Sequence, residues 1–472
     1  MKQFYLCLLL MACFWGCKKD AKIDLGDNGY LGGEIINPNT RFVTISKDHT
    51  LLDTILLDQN NRFLYKITPV KPGLYTFSHG GEIQMVFLEP NDSIMFRLNT
   101  IDFDESLVYT GIGAKENNYL INMFIENEHI NHNILKFSQA SPEVFQKKLD
   151  SIRTEQSEKF SAFNSKYTTS ALFKKIALAN IDYNYYALKE LYPFTFYGNS
   201  ELKNLESLPK NFYDYRAKIN YNDDALKDYF PYYMFLRYHF NNIALQKHFK
   251  HSNDSIFNPK SLDYNLDKLE LVDSLVSNDS IKNYWLNYYA LRYINSTNNL
   301  TDCDTYLNSF LDKSSSKTNN TYLTNLIASL KKLRPGSELP NTIVTNKDNE
   351  ELHIHDFIKH PTVIYFWSFN MKNHFTESHK KVQELMQKYP EIDFIAMNID
   401  KDDKQWLSFL KQYKYGLDNE FHFKNPEISR QAMALNSIHR VMLITKNKTI
   451  VNSNSNMFSK TFEEELLGLI NQ

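Results

Sequence analysis

The sequence predicts a multidomain α+β protein, with an N-terminal antiparallel β-sandwich, a middle all-α region and a C-terminal α/β domain. Three observations support this prediction. Apolar and polar residues alternate over short segments from 29 to 113, a helical period follows from 114 to 333, and predicted strands and helices interleave from 334 to 472. With 472 residues, 42% of them hydrophobic, the chain has enough apolar material for more than one core.

The charge balance gives no long-range field that would attract polyanions. Lys and Arg number 53, Asp and Glu number 55, and the formal net charge is −2. We therefore expect no nucleic-acid partner. The chain also contains 30 Tyr and 33 Phe, which aromatic-rich helices explain more simply than a base-stacking surface.

Residues 1–17 have the pattern of a bacterial export signal. Lys2 precedes an apolar run from Phe4 to Trp15 that is too short to span a bilayer, and Gly16 precedes Cys17. A small residue followed by cysteine at this place resembles a lipobox, which implies a lipoprotein signal peptide and lipidation of Cys17. Cys13 is a competing lipidation site, and an ordinary signal without lipid is the alternative.

A lipid on Cys17 would hold the protein at a membrane surface without a transmembrane helix. We therefore expect an exported cell-envelope protein, an outer-membrane lipoprotein that faces the periplasm or the cell surface, with residues 18–28 as a linker. The Lys18-Lys19-Asp20 segment weakly resembles a surface-export signal of such lipoproteins.

The cysteine count leaves little sulfur for chemistry. Cys7 and Cys13 lie in the signal segment and Cys17 would carry lipid, so only Cys303 remains and no internal disulfide is expected. Asp302 and Asp304 flank Cys303, and their negative charge should raise the pKa of the thiol. We predict a structural or idle thiol.

Residues 29–113 form the predicted β-sandwich module, because turn residues separate short alternating segments. The predicted strands are 42–46, 52–56, 63–67, 74–77, 83–87 and 94–98. The Leu88-Glu89-Pro90 and Gly111-x-Gly113 motifs resemble the N-terminal domain of unknown function in many Bacteroidota thioredoxin-like lipoproteins.

Residues 114–333 form the predicted helical region, in which apolar and aromatic residues recur at helical spacing. The clearest helices are predicted over 141–163, 172–191, 224–249, 280–293 and 319–333. We find no catalytic motif in this region.

Residues 334–472 form the predicted α/β domain, which begins at the turn-rich Arg334-Pro335-Gly336 segment. The predicted strands are 341–345, 351–354, 362–367, 392–400, 441–445 and 449–452, and the predicted helices are 371–388, 404–414, 426–435 and one from 458. This order, with Tyr365-Phe366-Trp367 and Ile438-x-x-Val-Met-Leu-Ile444, resembles the membrane-tethered thioredoxin-like proteins of the TlpA and ResA kind.

The resemblance implies a Cys-x-x-Cys pair after the Phe-Trp strand and a cis-proline opposite it. This chain has Met371 and His374 at the cysteine positions, or Asn370 and Asn373 after a one-residue slip, and His439 at the proline position. None of these side chains can become an attacking thiolate. A cis bond before a non-proline residue costs about 2.5–4 kcal/mol, so we expect a trans bond here.

We therefore predict a redox-inactive protein that is not an enzyme, needs no cofactor and serves as a binding or structural platform. A ligand groove is predicted at Trp367, Phe369, Asn370 and Arg440, where an extended peptide or an envelope protein could bind by strand pairing.

Two alternatives remain open. The first is a thiol-disulfide oxidoreductase that acts through Cys303 or a partner's cysteine. The second is a copper carrier, because thioether and imidazole groups bind copper and the resemblance would bring Met371, His374 and His439 together.

Overall fold

The computed structural model describes residues 26–48, 50–198, 208–252, 256–297, 299–413 and 418–472. The predicted signal peptide with Cys17, and the predicted linker up to residue 25, lie outside the described residues. The chain divides into two compact units. Of the described residues, the first unit comprises those up to Gly198 with 208–219 and 225–239, and the second comprises 220–224 and those from Phe240 to Gln472.

Two four-stranded sheets open the first unit. Their strands are β1 (Gly29–Ile36), β2 (Phe42–Lys47), β3 (Thr50–Leu56), β4 (Arg62–Ile67), β5 (Gly73–His79), β6 (Glu82–Leu88), β7 (Ser93–Asn99) and β8 (Val108–Ile112). The strand orders are β4-β1-β7-β8 and β3-β2-β5-β6. Leu31 and Phe96 of one sheet and Val43 and Phe77 of the other belong to one buried core, so the sheets form a sandwich.

The strand directions differ from the prediction in one pair. Strands β1 and β7 run parallel, whereas the other strand pairs of the two described sheets are antiparallel. The alternation pattern also does not predict β1, because Gly32 and Gly33 interrupt it. A Cβ on Gly32 would lie 2.7 Å from the Phe63 oxygen, and one on Gly33 would lie 2.7 Å from the Phe96 oxygen. Glycine therefore lets β1 lie close between β4 and β7.

Two adjacent asparagines join helix α1 (Ala114–His132) to the sandwich. Asn117 accepts from the Phe87 N–H at 2.7 Å and donates to its C=O at 2.8 Å, and Asn118 forms the same pair with Tyr109 at 2.9 and 2.8 Å. Phe87 lies on β6 and Tyr109 on β8, which are outer strands of the two sheets. Each asparagine thus satisfies backbone groups that an outer strand leaves unpaired.

The other α-helices described in the first unit are α2 (Ile134–Phe137), α3 (Pro142–Lys166), α4 (Ala171–Phe196) and the first part of α5 (Phe230–His251). The helix predicted from residue 224 in fact begins at Phe230. Pro231 follows directly, and proline is tolerated in the first turn of a helix but breaks the hydrogen bonding of its interior.

A buried charge cluster lies among these helices. Glu190 is fully buried and accepts hydrogen bonds from Arg216 Nε at 2.8 Å and from the Tyr215 hydroxyl at 2.8 Å, and His239 Nδ1 lies 2.6 Å from the carboxylate. Burial alone would raise the pKa of Glu190, but Arg216 and His239 outweigh it and lower that pKa to about 2. The carboxylate is therefore ionised and paired.

Four helices follow in the described part of the second unit: α6 (Leu262–Leu275), α7 (Asp279–Ser296), α8 (Leu300–Lys313) and α9 (Lys317–Lys332). Each begins after a Ser or Asn whose side chain accepts a hydrogen bond from a backbone N–H of the first turn; these N-cap residues are Ser261, Asn278, Asn299 and Ser316. The helices predicted at 280–293 and 319–333 correspond to α7 and α9.

A seven-stranded sheet completes the second unit. Its strands are β9 (Ile343–Thr345), β10 (Glu351–His353), β11 (Thr362–Trp367), β12 (Asp393–Asn398), β13 (Glu420–Phe423), β14 (Val441–Ile444) and β15 (Ile450–Ser455), in the order β10-β9-β13-β12-β11-β14-β15. Strand β11 pairs parallel with β12 and antiparallel with β14. All six β11 residues are buried, as a central strand covered on both faces requires.

The helices of this domain are α10 (Ile354–Phe357), α11 (Lys372–Lys388), α12 (Asp403–Tyr413), α13 (Pro426–Ala432) and α14 (Phe462–Ile470). The closing helix thus begins at Phe462 rather than at 458, and β13 is a strand that the sequence pattern does not predict.

In the part of the chain that the structure describes, no helix combines the length and the apolar character needed to cross a bilayer. The architecture confirms the predicted mixed α+β class.

Candidate functional site

The loop between β11 and α11 is held by one carboxylate. Asp400 accepts from the Ser368 hydroxyl at 2.6 Å, from the Phe369 N–H at 2.9 Å and from the Asn398 amide at 2.9 Å. Asn370 adds a contact of 3.3 Å from its side-chain amide. These four hydrogen bonds to one carboxylate fix the backbone at the start of α11. The loop is therefore held by hydrogen bonds and not by a disulfide.

Met371 and His374, at the predicted cysteine positions, lie at the start of α11. Met371 is the N-cap residue and is 43% exposed, whereas His374 in the first turn is buried. The His374 ring contacts the His439 ring edge to face, with centroids 4.7 Å apart. Among the described residues only Thr68-Pro69 is a cis peptide bond, so the bond before His439 is trans.

His374 is held in its neutral form at neutral pH. Burial, together with the nearby His439 and His379, lowers the pKa of His374 to about 4. Its Nδ1 atom has no hydrogen-bond partner in the described structure. A neutral imidazole with an unused nitrogen can bind a metal ion or a hydrogen-bond donor, but it cannot replace a thiolate in attack on a disulfide.

A buried polar pair lies next to Trp367. The Trp367 Nε1–H donates to Glu420 at 3.0 Å, and His379 Nε2 lies 2.8 Å from the other carboxylate oxygen of Glu420. His379 Nδ1 in turn lies 2.8 Å from the Phe375 carbonyl oxygen. Sequence reasoning missed this pair, because Glu420 lies on the unpredicted strand β13 and nothing along the chain links it to His379.

The four residues of the predicted groove lie in different environments. Trp367 is fully buried, Phe369 is half-buried and packs toward Phe409 with ring centroids 6.3 Å apart, and Asn370 is exposed. Phe369 and Asn370 can therefore contact a ligand directly, whereas Trp367 supports the loop from below.

Arg440, the fourth residue of the predicted groove, is only 4% exposed. Its Nη1 donates to the Ala434 carbonyl at 2.7 Å and its Nε donates to the Ser453 carbonyl, while Nη2 has no hydrogen-bond partner in the described structure. Burial lowers the pKa of Arg440 to about 10. The guanidinium thus meets neutral acceptors where a carboxylate partner would be usual for a buried arginine.

A cavity of about 520 Å³ lies beside Arg440 in the second unit. Its polar lining includes Asn295, Asn436 and Asn454, whose side chains form a small hydrogen-bonded group: Asn436 donates to the Asn295 side chain and Asn454 donates to the Asn295 carbonyl at 3.4 Å. Apolar walls come from α9, β14 and β15. Mixed walls of this kind are typical of small-molecule sites.

Cys303 lies on α8 and is fully buried. Burial contributes most, and Asp302 and Asp304 contribute further, to a pKa of about 11 for the thiol. The predicted rise in the pKa is confirmed, although burial is a larger cause than the flanking carboxylates. At neutral pH this thiol is protonated and unreactive.

Residues 359–450 match the family model described as thioredoxin-like. This match and the sheet centred on β11 make the C-terminal α/β domain a thioredoxin-like domain. No curated protein gives a significant match to the chain.

Solved structures from Bacteroides are similar to parts of this chain. A proposed thiol-disulfide oxidoreductase from Bacteroides vulgatus is 24% identical with a TM-score of 0.27, and the match covers 29% of this chain and 98% of that one. The C-terminal domain of a proposed thiol-disulfide oxidoreductase from Bacteroides thetaiotaomicron is 19% identical with a TM-score of 0.26, and the match covers 30% of this chain and 98% of that one. A thioredoxin-like protein from Bacteroides caccae is 14% identical with a TM-score of 0.34, and the match covers 55% of this chain and 90% of that one.

Proposed function

We propose that this protein is a redox-inactive platform, in which a thioredoxin-like domain binds a partner or ligand without exchanging disulfides. One observation carries the proposal: Met371 and His374 stand at the loop and helix start where a dithiol would act, and the Cys303 thiol is buried with a raised pKa. The fold alone does not supply a reaction.

Reduction of insulin by dithiothreitol tests this proposal. We expect the protein to leave the rate of insulin precipitation at the level of dithiothreitol alone, and the Cys303→Ser variant to behave identically. Catalysis by the wild type that disappears in Cys303→Ser would overturn the proposal and support the thiol-disulfide oxidoreductase instead.

The cavity beside Arg440 is the place where we expect the platform to hold an anionic group of its ligand. Its volume of about 520 Å³ lies within the ~300–1,000 Å³ usual for ligand sites. Burial is the cause of the lowered pKa of Arg440. Glu465 also lines the cavity and accepts from Asn452 at 2.8 Å, but no described carboxylate forms an ion pair with Arg440. A ligand carboxylate would supply the missing negative charge, and the C-terminus of an extended peptide carries one.

A matched pair of probes separates charge from shape. We expect N-acetyl-leucine to raise the thermal midpoint of the wild type more than N-acetyl-leucinamide does, and this difference to vanish in Arg440→Met. If the two compounds raised the thermal midpoint equally, or if the difference between them were unchanged in Arg440→Met, the cavity would not be the ligand site. Neither result would contradict the redox-inactive platform itself.

A copper carrier is the second candidate, favoured by the contact between the His374 and His439 rings and by the exposed Met371 at the N-cap of the helix that carries His374. These residues would supply two imidazoles and a thioether, a donor set that suits copper. The protein should then retain Cu(I) more tightly than a Met371→Leu/His374→Ala variant does. Equal retention by the two proteins would exclude this function.

We place the protein at the cell envelope through a lipid on Cys17. The wild type should partition into the detergent phase of a Triton X-114 extract, and Cys17→Ser should move to the aqueous phase. If Cys17→Ser still partitioned into the detergent phase, the lipid would be attached to another residue, and Cys13 would be the first to test.

A further inference from the structure

Three potential ligand side chains meet where α5 ends against α6. His248 and His251 are three residues apart on α5 and so lie on one face of the helix, and Asp267 lies on α6. One ligand atom from each of the three residues lies within 4.8 Å of the other two. The closest approach is 2.8 Å, between His251 Nε2 and Asp267 Oδ2.

Packing fixes two of these side chains and leaves the third accessible. His248 is 1% exposed and Asp267 is 6% exposed, whereas the His251 side chain is 45% exposed. The His248 ring packs edge-on toward Phe257 and Tyr264, with centroid distances of 6.3 and 6.1 Å. A site with buried, oriented ligands and one exposed ligand has both preorganisation and an entry path for an ion.

We propose that His248, His251 and Asp267 form a binding site for a divalent transition-metal ion, with Zn²⁺ as the ion that two imidazoles and a carboxylate suit best. Four-coordinate zinc needs ligand atoms ~3.3 Å apart for bond lengths of ~2.0–2.1 Å, so small side-chain rotations close the observed spacing. Water completes the coordination. The ion joins the end of α5 to α6 within the second unit.

One cation competes with the metal at this place. Lys247 Nζ lies 3.2 Å from the other oxygen of Asp267, so the carboxylate is shared between an ammonium group and His251. A bound metal ion takes over the charge compensation of Asp267. Removing the ammonium group therefore frees the carboxylate for the metal ion, since one competitor for its lone pairs is gone.

Calorimetric titration of the full chain with Zn²⁺ tests the site. We expect one Zn²⁺ per chain with a micromolar or tighter Kd, and a zinc-dependent rise in the thermal midpoint. Asp267→Asn and His251→Ala should each weaken binding by about tenfold or more. His251 is exposed, so its variant is expected to fold even where substitution of a buried ligand is not tolerated.

Two further variants make the assignment specific. Lys247→Met should tighten zinc binding several-fold, which adventitious binding to surface histidines would not show. In a His374→Ala/His439→Ala background, Asp267→Asn should still weaken zinc binding by about tenfold or more, which separates this site from the thioredoxin-like domain. Absence of saturable binding, or wild-type affinity in both Asp267→Asn and His251→Ala, would overturn the proposal.

Discussion

The rings of His374 and His439 contact each other edge to face at the start of α11, with centroids 4.7 Å apart. A helix N-terminus carries partial positive charge and stabilises an anion, whereas a protonated imidazole is disfavoured there. Burial and the two neighbouring imidazoles of His439 and His379 act in the same direction on the pKa of His374. The place where the fold could activate a thiolate therefore holds His374 in its neutral form.

The first prediction concerns stability in mild acid. Between about pH 6.5 and 4 the unfolded chain binds a proton at His374 that the folded protein does not, so the wild type loses stability as the pH falls through this window. Because solvent screens part of the interaction, we expect His374→Gln to avoid a loss on the order of 1–2 kcal/mol. Urea unfolding at pH 7, 5 and 4 measures this difference.

Burial also lowers the pKa of His422. Protonation of His422 in acid should therefore destabilise the wild type and His374→Gln equally. Only the difference between them therefore reports on His374. His360→Gln, which changes an exposed histidine beside Asp393, should follow the wild type. Parallel pH curves for the wild type and His374→Gln would contradict the prediction.

The second prediction restores the missing sulfurs. In Met371→Cys/His374→Cys the first thiol lies at the N-cap of α11 and the second in its first turn, where the helix dipole favours a thiolate. We expect insulin reduction clearly above the wild-type level. The single variant Met371→Cys has no resolving thiol and should stay inactive. An inactive double variant with a titratable dithiol would show that the loop around His439, too, prevents the reaction.

Much of the fold could be predicted from sequence periodicity. Thr362–Trp367 is an uninterrupted apolar run between polar segments, and its bounds as a strand were predicted to the residue because both faces of this strand are buried. Glycine-rich β1 and the four-residue β13 were not predictable in this way. Gly32 and Gly33 interrupt the alternation in β1, and all four residues of β13 are buried, so neither strand shows an alternating pattern along the chain.

The candidate site was predictable only where a local motif or a family resemblance located it. The facing of His374 and His439 followed from the resemblance, because the two loops oppose each other in that fold. The pairing of Glu420 with Trp367 and His379 did not, since buried polar partners are chosen by packing between distant segments. The cavity beside Arg440 combines α9 with β14 and β15 and leaves no sequence pattern at all.

The third prediction concerns the buried cluster in the first unit. Glu190→Gln keeps the shape of the side chain but removes the charge that faces Arg216 and His239. Breaking a buried ion pair leaves an uncompensated charge and typically costs about 3–5 kcal/mol. Chemical unfolding followed by circular dichroism should show this loss.

Glu126→Gln is the matched control in the same unit. Glu126 pairs with Lys159 at 3.1 Å in a partly exposed position, and exposed pairs contribute at most about 1 kcal/mol. If both variants lose the same small amount, the Glu190 cluster is not the structural centre that its burial indicates.

The fourth prediction concerns a buried amine on α4. Lys189 is 2% exposed, its Nζ lies 4.5 Å from the centre of the Phe212 ring, and burial lowers its pKa to about 8. Below pH 8 the amine is charged in both states and its desolvation opposes folding in full. Between about pH 8 and 10.5 the folded protein releases the proton first, so the stability of the wild type rises with pH.

Lys189→Met removes this charge and keeps the aliphatic stem. The Tyr185 hydroxyl, which accepts from Lys189 at 3.3 Å, keeps the hydrogen bond that it donates to Asp150. We expect the variant to be more stable than the wild type at pH 7, by on the order of 1–2 kcal/mol after solvent screening, and this advantage to shrink toward pH 10. Lys147→Met, on the exposed face of α3, should show no such pH dependence. A constant advantage from pH 7 to 10 would mean that packing of the methionine, and not the buried charge, controls the stability at this position.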